Sequence, residues 1–442
     1  MKRIYTVLCA LGVLGTALAD TAAPAKVTAT AAEQQIDELT QKAEQGDAAA
    51  QYALGRIYLD AEIVPMQEPL AFKYFQAAAA QRYAPAMTAL GYCYEIAIEA
   101  DRDYEKAVEL YQAAAELGDV PAFYHLGICY KEGYGVQADA DKAEDYFLTG
   151  ALHGNILAAY ELACCYEQKG DMQQAASWYA KAAQGGDWRA QNRYGECCEY
   201  GLGVQQDIPQ AISWYHAAAG ENWKKALYNL GRCHMNGIGV PANKEEGIRY
   251  YLLACPNEHA HLALGLCYET GDGVPVDLAK AILYYRYAAN FGLVTAQYRL
   301  AGLYAKEGAV AEAAEMYRMA ADNGCAEAQT YMGWCCYHTG DESMYPAAFK
   351  WFKEAEKSGY APALYALGFC YENSVGTYGN MMKARNYYQK AADDGDANAL
   401  YRLAEAHEYG ELRFKRDKEK AQELYKAAAD KEHWKAVIRV RR

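Results

Sequence analysis

The sequence predicts an all-α protein built as an α/α solenoid, in which helix–turn–helix units stack into a superhelix. Composition is the first indication, because the 442 residues include 85 Ala and only 11 Pro, which favours helices. The second is that 52% of the residues are hydrophobic, enough to bury a large core. The third is a motif that recurs eleven times at spacings of 32–36 residues. Such a period is typical of stacked repeats, and it overrides the about three domains that the length alone suggests.

Residues 1–19 are expected to be a cleavable signal peptide. Lys2 and Arg3 supply the positive end, residues 4–18 are apolar, and Ala17-Leu18-Ala19 is a small-x-small cleavage pattern. The apolar run is shorter than the about 20 residues that a membrane-spanning helix needs. We therefore expect a periplasmic or secreted protein, and the absence of an Asn-x-Ser/Thr sequon favours a bacterial envelope.

The mature chain is expected to be a short tether followed by one continuous solenoid. Residues 20–32 are rich in Ala and Thr and predict a flexible tether, and residues 33–442 predict the solenoid. A lone helix over Gln35 to Gln45 and a last helix over His433 to Arg442 are expected to be half-repeat caps. Caps of this kind cover the core on one side and face water on the other.

Each repeat predicts two helices, A and B. We take Gly55 of Tyr-Ala-Leu-Gly as position zero of helix A; an Ala lies at −5 in every repeat, and an aromatic residue of helix B follows 16–21 residues after position zero. Small residues let the two helices approach closely, and the aromatic rings fill the gaps beside them. The residues at position zero are Gly55, Gly91, Gly127, Ala163, Gly195, Gly231, Gly265, Ala301, Gly333, Gly368 and Ala404. The helix-B aromatic residues are Phe75, Tyr111, Phe147, Tyr179, Tyr215, Tyr251, Tyr285, Tyr317, Phe352, Tyr388 and Tyr425.

The turns between helices follow two further patterns. Helix B often ends in Gly followed by Asp or Asn, as in Gly186-Asp187, which predicts a left-handed stop and then the N-cap of the next helix A. Between helices A and B several repeats carry Gly-x-Gly-Val, as at residues 201–204.

These motifs resemble the Sel1-like repeat, a relative of the tetratricopeptide repeat. Its pattern is Ala-x-Tyr-x-Leu-Gly-x-x-Tyr, then Gly-x-Gly-Val, then Ala-x-x-Trp/Tyr-Tyr-x-x-Ala-Ala-x-x-Gly. Tyr228-Asn229-Leu230-Gly231 and Trp178-Tyr179 match it closely, and the resemblance covers about residues 33 to 442. It implies an α-solenoid that acts as an adaptor or scaffold rather than as an enzyme, here in an exported bacterial member.

The cysteines are expected to be buried free thiols, with a structural disulfide network as the alternative. Thirteen Cys follow the predicted cleavage site, and eight of them occupy position +2 of helix A. One residue type recurring at one helical position indicates packing, and equivalent positions on stacked helices lie about 8–10 Å apart, too far for disulfides. The eight are Cys93, Cys129, Cys165, Cys197, Cys233, Cys267, Cys335 and Cys370.

The sequence predicts no catalytic residue, no metal site and no cofactor. None of the five serines of the mature chain lies in Gly-x-Ser-x-Gly or Ser-x-x-Lys. Adjacent residues such as Cys233-His234 point about 100° apart on a helix, and His259 and His261 diverge as well, so neither pair can chelate one ion.

A ladder of acidic residues suggests a binding groove. Glu recurs six times at position +4, and by the resemblance to tetratricopeptide repeats +4 and +1 face a concave groove that holds extended peptides. We hypothesise that this acidic groove binds a basic or amide-rich segment of a partner protein; the alternative is a solvated acidic face that needs no ligand. The candidate groove residues are Glu95, Glu167, Glu199, Glu269, Glu372, Glu408, Arg232 and Trp334. Position +1 also carries Arg56, Tyr92, Glu196, Phe369 and Glu405.

The net charge of the chain restricts the classes of molecule that it can bind. The net charge of −14 argues against nucleic acid, which needs a basic surface. From Glu411 onward the chain has 11 basic and 6 acidic residues; a polar cap is favoured over head-to-tail contact or docking on an anionic surface.

The function we predict is an exported scaffold that binds partner proteins or peptides, with an adaptor or regulatory role in the cell envelope. One alternative is a peptidoglycan-acting or other envelope hydrolase with an unrecognised site. Another is a scaffold for envelope polysaccharide assembly. The oligomeric state is open, with a monomer favoured.

Overall fold

The computed structural model describes residues 29–60 and 65–440, and the side chains of residues 29–33 and 35 are outside this description. The predicted signal peptide and residues 20–28 of the predicted tether lie outside the described residues. The described part of the chain contains 24 α-helices, one short 3₁₀ turn over Glu342–Met344 and no strand, which confirms the predicted α-solenoid. It divides into two compact units, the first ending at Asn243 and the second beginning at Lys244. Continuity of the solenoid from one unit to the other stays a prediction.

Nearly all of the helices are 13 residues long. Those of the first unit are α1 Ala29–Glu44, α2 Ala48–Asp60, α3 Glu68–Ala80, α4 Ala84–Ile96, α5 Tyr104–Glu116, α6 Val120–Glu132, α7 Ala140–Leu152, α8 Ile156–Gln168, α9 Met172–Gln184, α10 Trp188–Tyr200, α11 Ile208–Gly220 and α12 Lys224–Asn236. Those of the second unit are α13 Lys244–Ala254, α14 Glu258–Thr270, α15 Leu278–Asn290, α16 Val294–Glu307, α17 Val310–Asp322, α18 Ala326–His338, α19 Tyr345–Glu356, α20 Ala361–Asn373, α21 Met381–Asp393, α22 Ala397–Tyr409, α23 Lys418–Asp430 and α24 Trp434–Val440.

The helices alternate between the two types that the sequence predicts. Even-numbered helices from α2 are the A helices, and odd-numbered helices are the B helices. Within each unit a helix packs on the one before it and the one after it, and the successive A helices α4, α6 and α8 also touch. A helices of neighbouring repeats therefore lie side by side along one face of the stack, called here the A-helix face.

The two end helices differ slightly from their predicted bounds. Helix α1 begins at Ala29, six residues before the predicted Gln35, because residues 29–34 are mostly Ala, Glu and Gln, which are good helix formers, with no stop signal. Helix α24 spans Trp434–Val440, and the last two residues of its predicted span lie outside the described residues.

Glycine at position zero allows helix A to touch the ring of helix B. A Cβ atom added at Gly127 would lie 2.3 Å from the ring of Phe147, and one added at Gly195 would lie 2.7 Å from that of Tyr215. Both rings are completely buried. A side chain at Gly127 or Gly195 would therefore force the two helices of its repeat apart.

The second glycine of Gly-x-Gly-Val allows close contact between neighbouring repeats. Gly203 has φ of +72°, and a Cβ atom there would lie 1.9 Å from the carbonyl oxygen of Met172, at the start of helix B of the preceding repeat. Only glycine adopts this left-handed conformation without strain while letting the loop approach so closely. The loop thus fixes how one repeat sits on the previous one.

The predicted stop-and-cap junctions are present. Gly186 has φ of +96°, and the Asp187 carboxylate accepts the backbone N–H of Ala190 at 2.9 Å. Asp119 is an exception, because its carboxylate accepts the Thr88 hydroxyl at 2.5 Å instead of capping its own helix. This contact joins helix α4 to the junction that precedes α6.

The thirteen cysteines of the described residues have free thiols. Six of the eight at position +2 are buried, Cys165 is half-buried and Cys335 is exposed. Burial raises the pKa of the Cys93 thiol to about 12, as it does for Cys129 and Cys370. These thiols are packing groups that stay protonated near neutral pH.

Candidate functional site

The six glutamates at position +4 contact the aromatic residue of helix B in their own repeat. In all six repeats that residue is Tyr, and its hydroxyl donates to the carboxylate at 2.6–2.7 Å. The pairs are Tyr111–Glu95, Tyr179–Glu167, Tyr215–Glu199, Tyr285–Glu269, Tyr388–Glu372 and Tyr425–Glu408. The ladder is thus part of the packing between helices A and B.

A basic side chain from the following helix A completes each pair. His125 and Arg299 lie 3.5 Å from Glu95 and Glu269, and closer ion pairs join the other four glutamates to arginines. These are Arg193–Glu167, Arg232–Glu199, Arg402–Glu372 and Arg439–Glu408. The basic residue occupies position −2 of its helix in each case except Arg232, which occupies +1. We call this set of Glu, Tyr and basic residue the clamp.

The clamp offsets most of the negative charge that the ladder would present. Exposure of the glutamate side chains runs from 4% for Glu199 to 28% for Glu167. Burial raises the pKa of the Glu167 carboxyl, but the hydrogen bonds from Arg193 and Tyr179 outweigh burial and leave the pKa below its usual value. The same balance lowers the pKa of Glu95 and Glu408, so these three carboxyls are held ionised by neighbours within the protein.

The sequence contains a signal for the clamp. Glu at +4 occurs only in repeats whose helix-B aromatic residue is Tyr. The three repeats with Phe have Leu59, Lys131 and Tyr337 at +4 instead. A phenylalanine ring offers no donor to a carboxylate, so the co-occurrence follows from hydrogen bonding.

A network of ion pairs extends along the A-helix face of the first unit. Lys131 of α6 lies 2.9 Å from Glu161 of α8, which in turn lies 4.0 Å from Arg189 of α10. Glu196 of α10 pairs with Arg193 and lies 3.1 Å from Lys225 of α12. The face is thus lined by both signs of charge.

The predicted groove residue Trp334 lies in an aromatic patch on the second unit. Its ring centroid is 5.4 Å from that of Phe369 and 5.8 Å from that of Tyr337, and Phe352 lies beneath at 5.1 Å. Trp334, Tyr337 and Phe369 are half-buried on the adjacent A helices α18 and α20, whereas Phe352 is fully buried. We call these three half-buried rings the Trp334 patch.

The patch brings together positions that the sequence analysis assigned to the groove. Trp334 and Phe369 both occupy position +1, and their side chains touch across the repeat boundary. Glu372 follows Phe369 by one helical turn and holds Arg402, which also lies 3.9 Å from Glu405. The other predicted groove residues are distributed over several repeats as parts of separate clamps.

The described residues contain neither a cluster of metal-ligating side chains nor a membrane-spanning helix. No group of three or more His, Cys, Asp and Glu side chains in this part of the chain is placed to hold a metal ion. No helix within the described residues is long and apolar enough to cross a membrane.

The Sel1 repeat model matches the chain eleven times. The matched spans follow one another with gaps of at most two residues and agree with the repeats predicted from the sequence. They are residues 48–83, 84–119, 121–155, 156–187, 188–222, 224–255, 258–291, 294–325, 326–360, 361–396 and 397–433.

Individual relatives match in part or over the whole solenoid. Chitin synthase regulatory factor 3 of Schizosaccharomyces pombe is 33% identical over 130 residues, 27% of this chain and 14% of the relative. DAP3-binding cell death enhancer 1 of Rattus norvegicus is 36% identical over 91 residues, 21% of this chain and 18% of the relative. The chain thus spans less than a fifth of either protein. A crystal structure of a protective antigen present in uropathogenic Escherichia coli strains, displaying an SLR fold, superposes with a TM-score of 0.73 at 29% identity, covering 92% of this chain and 89% of that one.

Proposed function

Because the chain belongs to the Sel1 repeat family, with eleven repeats, we propose that it is a scaffold that binds a partner protein along its A-helix face. Two relatives that share part of the sequence are by name a regulatory factor and a binding protein rather than enzymes. These names support a non-enzymatic role.

The Trp334 patch is the observation that carries the proposal. On the first unit the A-helix face carries a network of ion pairs, whereas Trp334, Tyr337 and Phe369 on the second unit leave part of their rings exposed next to one another. Trp and Tyr dominate the binding energy of protein interfaces because they bury a large apolar area with little loss of side-chain entropy. An apolar side chain of the partner would contact this patch.

Charge near the patch favours a basic residue next to that apolar anchor. Glu405 is 30% exposed and Glu411 is 48% exposed, and both share the single guanidinium of Arg402 with Glu372. The single charge of Arg402 cannot neutralise all three carboxylates that it contacts. We therefore propose an extended partner segment with a large apolar residue and a nearby Lys or Arg.

Selection from a library of random displayed peptides on the mature protein tests this proposal. We expect the enriched peptides to combine an apolar anchor with a basic residue. Trp334→Ala should weaken the binding of a synthetic peptide of the enriched sequence by about tenfold or more, as measured by fluorescence anisotropy. Glu405→Gln should weaken the binding of the same peptide several-fold at low salt and less at high salt, because salt screens exposed charges.

The matched control is Trp434→Ala, since Trp434 is also a helix-A tryptophan but is 65% exposed at the far end of the second unit. It should leave the affinity unchanged. Equal losses for Trp334→Ala and Trp434→Ala, or enrichment of acidic peptides, would refute binding at the patch. Circular dichroism of each variant separates loss of binding from loss of fold.

We also propose that the scaffold works outside the cytoplasm of a bacterium, with an adaptor or regulatory role in the envelope. The support is the predicted signal peptide at residues 1–19. N-terminal sequencing of the protein purified from a secretory bacterial host should find Asp20 as the first residue. An intact Met1 in the exported fraction, or retention of the whole chain in the cytoplasm, would contradict export.

A further inference from the structure

A lysine lies over a tyrosine of helix A in four repeats. The tyrosine occupies position +3, and the lysine lies three residues after the N-cap residue of helix B. The Nζ atoms of Lys106, Lys142, Lys280 and Lys383 lie 4.3, 5.2, 5.0 and 5.0 Å from the ring centroids of Tyr94, Tyr130, Tyr268 and Tyr371. The contact is therefore a recurring cation–π interaction of the repeat and needs no ligand by itself.

The tenth repeat differs from two of its counterparts in how the lysine is neutralised. In the third and seventh repeats the N-cap is Asp139 or Asp277, whose second carboxylate oxygen lies 3.7 or 3.5 Å from the lysine Nζ. In the tenth repeat the N-cap is Asn380, whose side-chain oxygen accepts the backbone N–H of Lys383 at 3.0 Å. The cap is preserved, but the negative charge is gone.

Two more lysines converge on this position. Lys353 of α19 and Lys390 of α21 line the same depression as Lys383, with a volume of about 540 Å³. The remaining lining residues are Tyr371, Asn386, Tyr387 and Gln389. We call this set of residues the lysine depression.

The counterparts of the two added lysines are uncharged. At the position of Lys390 the third and seventh repeats have Thr149 and Tyr287. At the position of Lys353 the helices B that precede those repeats have Gln112 and Leu252. Of the third, seventh and tenth repeats, only the tenth has lysine at all three positions. The repeat pattern therefore does not require these lysines.

The charges of the lysine depression do not cancel within the protein. Glu356 pairs with Lys353 and accepts the Tyr387 hydroxyl at 2.8 Å, so its carboxylate is already engaged. Lys383 and Lys390 have no carboxylate within 4.0 Å anywhere in residues 29–60 and 65–440. Two ammonium groups without a carboxylate in direct contact thus share a depression with Lys353, and Glu356 is the acidic group that acts on Lys390 from farther away.

We propose that the lysine depression binds a phosphate group, either of a soluble phosphate or phosphate ester or of a lipid headgroup. Lysine ammonium groups are compact point charges that bind phosphate oxygens, and the Asn386 amide in the same depression adds neutral donors. A doubly charged phosphate would replace, for Lys383, the carboxylate that Asp139 and Asp277 provide to their lysines. The three lysines and Asn386 lie on helices B, and the site does not depend on peptide binding at the A-helix face.

The sharpest test is Asn380→Asp, which restores the carboxylate of the other repeats. Asp and Asn are equivalent as N-caps, so the variant should fold normally. Inorganic phosphate is titrated into the mature protein at constant ionic strength and followed by ³¹P line broadening. We expect saturable binding by the wild type and binding weaker by about fivefold or more in Asn380→Asp and in Lys383→Ala/Lys390→Ala. The matched control Lys142→Ala removes the same cation–π contact from the third repeat and should leave phosphate binding unchanged.

The outcomes separate the two sources of phosphate. The protein is floated with phosphatidylcholine vesicles that contain phosphatidic acid. If the wild type floats with these vesicles but not with vesicles that lack phosphatidic acid, and Asn380→Asp does not float, the phosphate belongs to a lipid. Phosphate binding without flotation assigns it to a soluble compound. No saturable binding by the wild type, or equal binding by the wild type and Asn380→Asp, would overturn the proposal.

Discussion

At the scale of single residues, the clamp explains why Glu recurs at position +4. An acid near the C-terminal end of a helix opposes the helix dipole, a small penalty of about 0.3–1 kcal/mol. The Tyr hydroxyl and the basic side chain from the next repeat offset that penalty. In the fifth repeat Tyr215 and Glu199 are both buried, so their hydrogen bond is well shielded from water.

Tyr215→Phe tests the hydroxyl alone. It leaves the ring in place and removes the donor to the buried Glu199 carboxylate, so we expect a loss of about 1.5–3 kcal/mol in the free energy of unfolding. Urea unfolding followed by circular dichroism measures it. Tyr317→Phe is the control, because position +4 of its repeat is Ala305 and the Tyr317 hydroxyl makes no hydrogen bond within the described residues. Its effect should stay below about 0.5 kcal/mol, and an equal loss in both variants would contradict a role for the glutamate.

The clamp also predicts how stability depends on pH. Glu95, Glu167 and Glu408 have a pKa below the usual value, because hydrogen bonds from basic side chains and tyrosines outweigh the opposing effect of burial. A carboxyl whose pKa is lower in the folded state stabilises the fold above its unfolded pKa of about 4.3, and this contribution is lost as the pH falls through the folded pKa. The melting temperature should therefore fall between about pH 5 and about pH 3. In Glu167→Gln the melting temperature should fall less steeply with decreasing pH than in the wild type. An equally steep fall in both proteins would mean that other groups control acid unfolding.

At the scale of the elements, glycines position helices and loops in two distinct ways. Gly170 and Gly203 both have a left-handed φ, +81° and +72°, but only Gly203 lies against the backbone of the preceding repeat. Strain at Gly170 is local, whereas a side chain at Gly203 would also push two repeats apart.

Alanine substitutions separate these two roles. Gly170→Ala should cost about 1–2 kcal/mol for the left-handed conformation. Gly203→Ala should cost a further 1–3 kcal/mol, roughly, because its Cβ atom would overlap the Met172 carbonyl oxygen. Thermal unfolding of both variants measures the difference. Equal melting temperatures would show that the loop between helices A and B moves away from the neighbouring repeat at little cost.

At the scale of the whole molecule, a solenoid is held together by contacts between neighbours, so local damage should stay local. In Tyr215→Phe we expect faster amide hydrogen exchange in α10, α11 and α12, which meet at that clamp, and unchanged exchange in α2 to α4 of the same unit. Hydrogen-exchange mass spectrometry resolves these peptides. Uniformly faster exchange would instead indicate one cooperative unfolding unit.

Local periodicity predicted most of the fold. The repeat register, the glycines at position zero and the left-handed stops are all determined within about 36 residues, and all appear in the structure. The clamp is harder to predict, because its basic member comes from the next repeat and Arg232 supplies it from position +1 instead of −2. The exposure of Cys335 was missed for a similar reason, since position +2 is buried in most other repeats and only the local neighbours decide. The lysine depression depends in part on Asn380, which stands where other repeats have Asp. Because Asn and Asp cap a helix equally well, the repeat motif does not distinguish them.

The clamp finally limits how such a chain can evolve by gain or loss of repeats. Each clamp takes its Glu and Tyr from one repeat and its cation from the next, so adjacent repeats are matched as pairs. If residues 120–155 were deleted, Glu95 would face Glu161 at position −2 in place of His125, and two carboxylates would meet. If residues 188–223 were deleted, Glu167 would face Asn229 instead of Arg193. Recombination at these junctions therefore removes a compensating charge even when the reading frame and the repeat length are preserved, so repeats that look interchangeable by their consensus motif are not interchangeable neighbours.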